Sequence, residues 1–411
     1  MGLSKFQDLL SIIYDGLPGS VRSFISPALE PAYFTVIRVL LIASQIHLSV
    51  YQLQGKGRWG DGTLITLLFG EGRGIPYVLD LLYAEEPTKK HLGKVFIWKI
   101  KSQIKLDVPR ADLVLVGIDG IFSRFLSRQG FIVIPEWVMF KLDLAKPLPK
   151  GRRNKALREN LRKVRKYEYC FEMTRDPAKF EYFYHQMYLP YAAKKYGELS
   201  LVGSFRNLRR IFEKGVLLLV NRRDECISGF LIGMGDKTVS AHYAGVREGK
   251  IEHLEKGALA ACYYFTISWA KEKGYEWVDF GHCRPFFNDG GFFHKKTWGM
   301  EIRRSNRLMP ATKAVFGIKV CNHQQGLLVF LAKNPFIFID RGKLKGLIFA
   351  QQEHPLTLGE VQALFKTYYI PGIDSFVIAS FQGFTQQAEE FASSQSPQRL
   401  YLTSLNPDTF F

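Results

Sequence analysis

Between residues 180 and 280 the hydrophobic period changes in an order that few folds accommodate. Two helical patterns, an aromatic-rich one at 180–196 and a second at 205–212, precede three strand patterns at 216–220, 227–234 and 238–246. The connections between those strands are only the turns NRRDE and GD, short enough to make the three an antiparallel meander. A loop at 247–255 then leads into a helical pattern at 256–273, and a further strand follows at 277–280. Two helices, a meander, a helix and one more strand predict an α+β unit in which the last helix starts beside a splayed sheet.

Just past that last strand lies the densest group of reactive side chains in the chain. Residues 278–302 read VDFGHCRPFFNDGGFFHKKTWGMEI and bring together His282, Cys283, Arg284, Asn288, Asp289, His294, Lys295 and Lys296. Loops that follow strands are where sites usually sit. Among groups that transfer protons, histidine is the side-chain type whose ordinary charge change lies nearest neutral pH, which favours His282; Asp289 shares its segment, and Asp279 falls inside the strand, where packing and a hydrogen bond are expected to hold it. Cys283, between His282 and Arg284, has neighbours that activate a thiol.

At 411 residues the chain is too long for one ordinary core, so two or three domains are expected. A hydrophobic content of 47% excludes disorder, and a formal charge of +18 implies an anionic partner: nucleic acid, a membrane surface or a phosphorylated molecule. Cys170, Cys226, Cys262, Cys283 and Cys321 are scattered without a CxxC pair, which predicts neither a disulfide framework nor a metal site and fits a reducing cytoplasm. The opening MGLSKFQDLL lacks the apolar core of a signal peptide, and the apolar run at 36–50 is shorter than a spanning helix and carries Arg38, Gln45 and His47. A cytoplasmic protein, peripheral at most to the inner membrane surface, is expected.

From residue 63 the pattern predicts a mixed α/β domain: strands at 63–69, 94–100 and 112–118, helices at 76–84 and 121–129, and a strand broken by Pro135 at 131–144. Residues 35–43 have the length of a helix and the β-branched content of a strand, and both readings stay open. The glycines of GKGRWGDG and GEGRG match no phosphate-loop spacing and are read as turns. Residues 146–166, bounded by Lys146 and Lys166, carry ten basic residues against Glu159 alone. Leu157, Leu161 and Val164 give this run one apolar helix face, so it is read either as a solvated linker helix or as the site of an anionic partner such as tRNA, a membrane surface or a phosphorylated substrate. Beyond 325 the pattern gives strands at 336–340, 346–350 and 375–380, a helix at 357–369 opened by the capping box Thr357 to Glu360, and a helix at 385–394.

The order of elements at 180–280 resembles the GNAT acyltransferase superfamily. More narrowly, the pieces RRNKALRENLRKVRK, YHQMYLPYAAKKYG, ISGFLIGM, VDFGHCRPFFNDG and HKKTWG are similar to the Fem family of peptidoglycan aminoacyltransferases and related acetyltransferase domains, over about residues 60–310. The resemblance implies two GNAT-like halves with mixed sheets flanked by helices and a reactive cleft between them. The expected division is an unassigned segment 1–55, a degenerate half 56–145, a basic linker helix 146–170, a complete half 171–325 and a small α/β appendage 326–411.

It also implies chemistry. Counting back four residues from Gly299 places at Lys295 the lysine that assists the transferring carbonyl in Fem enzymes, with Lys296 in reserve because His294 stands where an aromatic residue is usual. His282 and Asp289 are the candidates for proton transfer, Cys283 is passive in a direct-attack mechanism, and Tyr243, Arg284 and Asn288 are expected to hold substrate or cofactor. Lys256, Gly257 and Ala258 occupy the donor position, but the loop reads EHLEKGA, and only Gly257 and Ala258 keep the usual pyrophosphate-binding pattern. The implied activity is transfer of an acyl group from acyl-CoA or acetyl-CoA to an amine on a cell-envelope or polysaccharide precursor, without a metal. Aminoacyl-tRNA is the alternative donor, and a catalytically silent GNAT fold that binds RNA or anionic membrane is the alternative from another class.

Overall fold

The computed structural model describes residues 30–72, 74–107, 111–149, 154–196, 202–304, 314–322, 324–395 and 399–404. Most of the 1–55 segment, and Lys150 to Arg153 of the basic run, lie outside the described residues. The chain forms two compact units: Met1–Val138 with Arg284–Phe292 and Arg304–Phe411, and Met139–Cys283 with Phe293–Arg303.

The first unit is built on a ten-stranded mixed sheet. Its strands are β1 (His47–Lys56), β2 (Thr63–Gly70), β3 (Thr88–Phe96), β4 (Leu113–Asp119) and β5 (Ile132–Pro135). The next seven strands belong to the second unit, and the chain returns with β13 (Ala314–Val320), β14 (Phe336–Asp340), β15 (Lys343–Ala350), β16 (Ser375–Ser380) and β17 (Leu400–Ser404). The order is β17-β16-β15-β14-β5-β13-β4-β2-β1-β3, so the strands set apart in the sequence reading as an appendage are hydrogen-bonded into this sheet through β14 and β5. β4 is buried along its whole length, with Leu113 and Leu115 in the core on one face and Val114 and Val116 in the core on the other. A run of LVLV with no polar alternation is what a strand covered on both faces requires.

Two local expectations change. The strand expected at 94–100 stops at Phe96, and a 3-10 turn (Ile97–Lys99) and a helix (Ile100–Asp107) follow. Ile97, Ile100 and Ile104 are the buried residues there, and spacings of three and four belong to a helix face. The ambiguous segment at 35–43 lies within a helix, Glu30–Ser44, which buries Leu41 and joins Arg38 to Asp119 through two hydrogen bonds of 2.8 and 3.0 Å.

The second unit carries β6 (Val138–Asp143), β7 (Cys170–Thr174), β8 (Val216–Arg222), β9 (Glu225–Met234), β10 (Thr238–Val246), β11 (Trp277–Cys283) and β12 (Glu301–Arg303), in the order β12-β6-β11-β10-β9-β8-β7. β7 to β10 pair antiparallel in succession, and β11 lies parallel to β10. The parallel pair needs a crossover, supplied by the helix Ala258–Glu272. Ala258, Ala260, Ala261 and Cys262 are fully buried on it, and such small side chains let a helix lie close to a sheet. Helices Pro177–Tyr182, Leu189–Tyr196 and Phe205–Glu213 intervene between β7 and β8, the first two joined by a π-helical turn at Phe183–Tyr188. The loop expected at 247–255 contains a short helix, Ile251–Glu255.

Candidate active site

Within the second unit, β10 and β11 pair over only three positions, Thr238 with Trp277, Val239 with Val278 and Ser240 with Asp279. At the next turn of the pleat β10 bulges: its register against β9 shifts between Ala241 and Tyr243, which leaves His242 as the extra residue. His242 Nε2 lies 3.1 Å from Asp279 Oδ1, and both side chains are largely shielded from solvent. The same carboxylate oxygen accepts the Gly281 amide at 2.8 Å. Gly281 has φ of +75°, and a Cβ there would stand 3.1 Å from His242 Cδ2, so glycine is required both by the turn and by the imidazole packed over it. The DFG of the sequence is thus a side-chain-locked turn that brings an Asp–His pair to the point where the two strands part.

Sequence reasoning leaves Asp279 to packing and a hydrogen bond inside the strand, and it does not single out His242. The available signal was a histidine inside the otherwise uncharged strand SAHYAG. The bulge that turns it toward Asp279 depends on pairing with β9, which no local pattern records.

Lys295 lies on the helix Gly290–Thr297, 7% exposed, with its Nζ donating to the His282 carbonyl at 3.2 Å and standing 5.6 Å from the centre of the Phe140 ring. It is the backbone oxygen of His282 that meets Lys295. The half-buried Lys296 has its ammonium pushed down from 10.5 to about 8 by burial. Aromatic packing fixes this segment: Trp298, fully buried, donates from Nε1 to His294 Nε2 at 3.3 Å, and Tyr263 of the crossover helix meets His294 edge-on and stacks on Trp298 and Phe280.

The basic helix Lys155–Lys166 runs alongside. Its cap, Asn154, donates to the Thr297 carbonyl at 2.7 Å, and it buries Leu157 and Val164. At its other end Lys163 packs on Gly257, whose φ of +88° opens the crossover helix and whose Cβ would meet Lys163 Cβ at 2.9 Å. No side chain caps that helix start. Lys256 is paired to Glu252, its carbonyl accepts from the Tyr169 hydroxyl at 3.2 Å, and the amides of Lys256 and Gly257 donate to Glu252 and Leu254 carbonyls. Those two amides therefore serve the turn of Ile251–Glu255. Tyr243 meets the Tyr188 ring edge-on at 5.8 Å.

The remaining expected residues belong to the first unit. The Arg284 guanidinium lies 4.1 Å from the centre of the Tyr77 ring and 5.3 Å from that of Trp137. Asn288 donates to the Lys333 carbonyl at 2.8 Å. Asp289 accepts the Gly291 and Phe292 amides at 2.9 and 3.0 Å as the cap of the following helix, and receives the Tyr77 hydroxyl at 3.4 Å. Burial first, and then the Asp289 charge, push that hydroxyl up. Among the described residues there is no group of three or more His, Cys, Asp or Glu placed to hold a metal, and no helix long and apolar enough to cross a membrane.

No protein-family model and no curated protein matches the chain. Solved structures that align with it include L-PGS from Bacillus licheniformis (12% identity, 68% of this chain and 88% of that one, TM-score 0.32) and FemX (14% identity, 65% and 84%, TM-score 0.33). A tandem GNAT protein from the clavulanic acid biosynthesis pathway aligns at 11% identity over 71% and 89%, with a TM-score of 0.27. Scores this low carry no weight for function, and the assignment of the fold stands on the chain's own topology. Residues 170–283 have the GNAT arrangement: four antiparallel strands, a crossover helix, and a fifth strand that runs parallel to the fourth and then splays from it.

Proposed function

We propose that the protein is an acyltransferase that moves an acyl group from a thioester to an amine at the β10/β11 splay. The observation that carries this reading is the parting of the two strands after Ser240 and Asp279 with the His242–Asp279 pair at the fork. An amine attacks only when neutral, so an imidazole held by a carboxylate is suited to take the proton that the nitrogen sheds. The new C–N bond forms as the thioester carbonyl becomes a tetrahedral oxyanion. The C–S bond then breaks, and the departing thiolate takes up a proton. Lys295, a buried ammonium, is the group we assign to the oxyanion.

The donor proposed is acyl-CoA or a related thioester, placed by Gly257 and Ala258 at the uncapped start of the crossover helix, with Lys256 at its edge. Because Lys256 is paired to Glu252 and two loop amides are committed, we assign much of the phosphate grip to the neighbouring basic helix, whose Arg158, Arg165 and Lys166 are exposed. The acceptor proposed is an amine on an envelope or polysaccharide precursor.

Titration with acetyl-CoA, a longer acyl-CoA and charged tRNA tests the donor. Micromolar binding of a thioester that is weakened by reversing Arg158 and Arg165 is the expected result. Binding of charged tRNA alone would replace the thioester by an ester donor, and binding of neither would remove the enzymatic reading.

A further inference from the structure

We infer that the first unit carries a docking face for an anionic lipid bilayer, formed by the helix Glu30–Ser44 together with the turn around Trp98. This goes beyond the acyltransferase reading and does not rest on it. On that helix Val36, Val39, Leu40 and Ala43 are exposed, and their spacing of three and four residues places them in one stripe, while Leu41 and Gln45 face inward. The stripe continues off the helix at its C-terminal end. On the opposite face Arg38 donates to the Asp119 carboxylate and Gln45 accepts the Asp119 amide, which fixes the helix with the stripe turned outward. At the helix end the Ile46 carbonyl accepts the Ile97 amide, His47 packs on Phe96 at 3.8 Å, and Phe96 stacks on Trp98, which is 57% exposed. Singly exposed apolar residues are ordinary, but a run of six, counting the exposed Ile46 and Trp98, is not.

Charge selects the occupant. The segment 88–104 contains five lysines and no acid, with Lys94, Lys99 and Lys101 exposed around Trp98. An apolar stripe that runs into a tryptophan flanked by exposed lysines matches a bilayer surface, where the apolar groups enter the headgroup boundary and the cations meet anionic lipid. A second protein chain would need neither the one-sided charge nor the exposed indole.

Co-sedimentation of the full chain with phosphatidylcholine vesicles, with and without phosphatidylglycerol, tests this. Binding only to the anionic vesicles, weakened by salt, is expected. A lysine near an anionic surface contributes about fivefold in partitioning, so the triple variant Lys94→Glu, Lys99→Glu, Lys101→Glu should lose on the order of 100-fold. Val39→Asp with Leu40→Asp should lose at least about tenfold without changing the melting temperature. Equal binding to neutral vesicles, or binding lost on reversing Arg158, Arg162 and Arg165 but kept in both of these variants, would overturn the proposal. So would loss of a dimer in the Val39→Asp, Leu40→Asp variant, which would make the occupant a second copy, or unchanged vesicle binding in every variant.

Discussion

Lys296 offers the most direct physical test of the site. Burial lowers its ammonium from 10.5 to about 8, and the sign of the consequence for folding follows from proton counting. Below pH 8 both folded and unfolded chains hold the proton, and the folded state bears the whole cost of the buried charge. Between about 8 and 10.5 the unfolded chain binds more protons than the folded one, so this residue makes stability rise with pH. Above 10.5 it costs nothing. A difference of that size corresponds to about 3 kcal/mol. Lys296→Met keeps an unbranched stem and removes the charge, so at pH 7 it should stabilise the protein by up to about 3 kcal/mol, and the gain should vanish as pH approaches 10.5. Paired urea denaturation of the variant and the parent at several pH values gives the difference directly, and alkaline effects common to both cancel. Lys271→Met, on the exposed side of the crossover helix, is the control. A gain that is equal at pH 7 and pH 10, or a plain loss of stability at both, would show that the Lys296 ammonium reaches water and would refute the reasoning.

Three further outcomes follow from the site. Lys295→Ala should lower kcat on the order of 100- to 1000-fold with KM little changed, and Lys295→Arg should restore only part of it because the fork is larger than an ammonium. His242→Ala should lower kcat by about 100-fold or more, and Asp279→Asn should move the acid limb of the pH–rate profile, which a purely structural role for the pair would leave in place. Gly281→Ala should cost about 1–3 kcal/mol in thermal or urea unfolding, because a side chain at a φ of +75° is strained and its Cβ presses on the His242 ring.

Much of this architecture was legible in the residues. The meander follows from three runs of strand length separated by the short turns NRRDE and GD, and the crossover helix from an apolar run too long for a strand. The capping box at Thr357 and Glu360 forms as the residue types require, with Thr357 Oγ1 accepting the Glu360 amide and the Glu360 carboxylate accepting the Thr357 amide. What escaped depends on partners far away in the chain. IWKI reads as a strand until Ile100 and Ile104 are known to share a buried face. The 336–380 strands look self-contained because nothing in FIFID announces that Ile339 will pair with Val133 of β5. His242 acquires its place only through a bulge against β9.

The placement of β13 governs the order in which the protein can be made. It pairs with β4 on one side and with β5 on the other, so the middle of the first sheet is filled by residues synthesised after the entire second unit. As the chain leaves the ribosome, Ile118 must wait for Val315, and β5 has neither of its neighbours, β13 or β14. The second unit, complete once Arg303 has emerged, can condense first and hold the ends of the gap together while the apolar edges of β4 and β5 stay open. The edges of LVLVGID and IVIP are thus the segments a chaperone would have to shield during synthesis, and any truncation before residue 314 leaves them open for good.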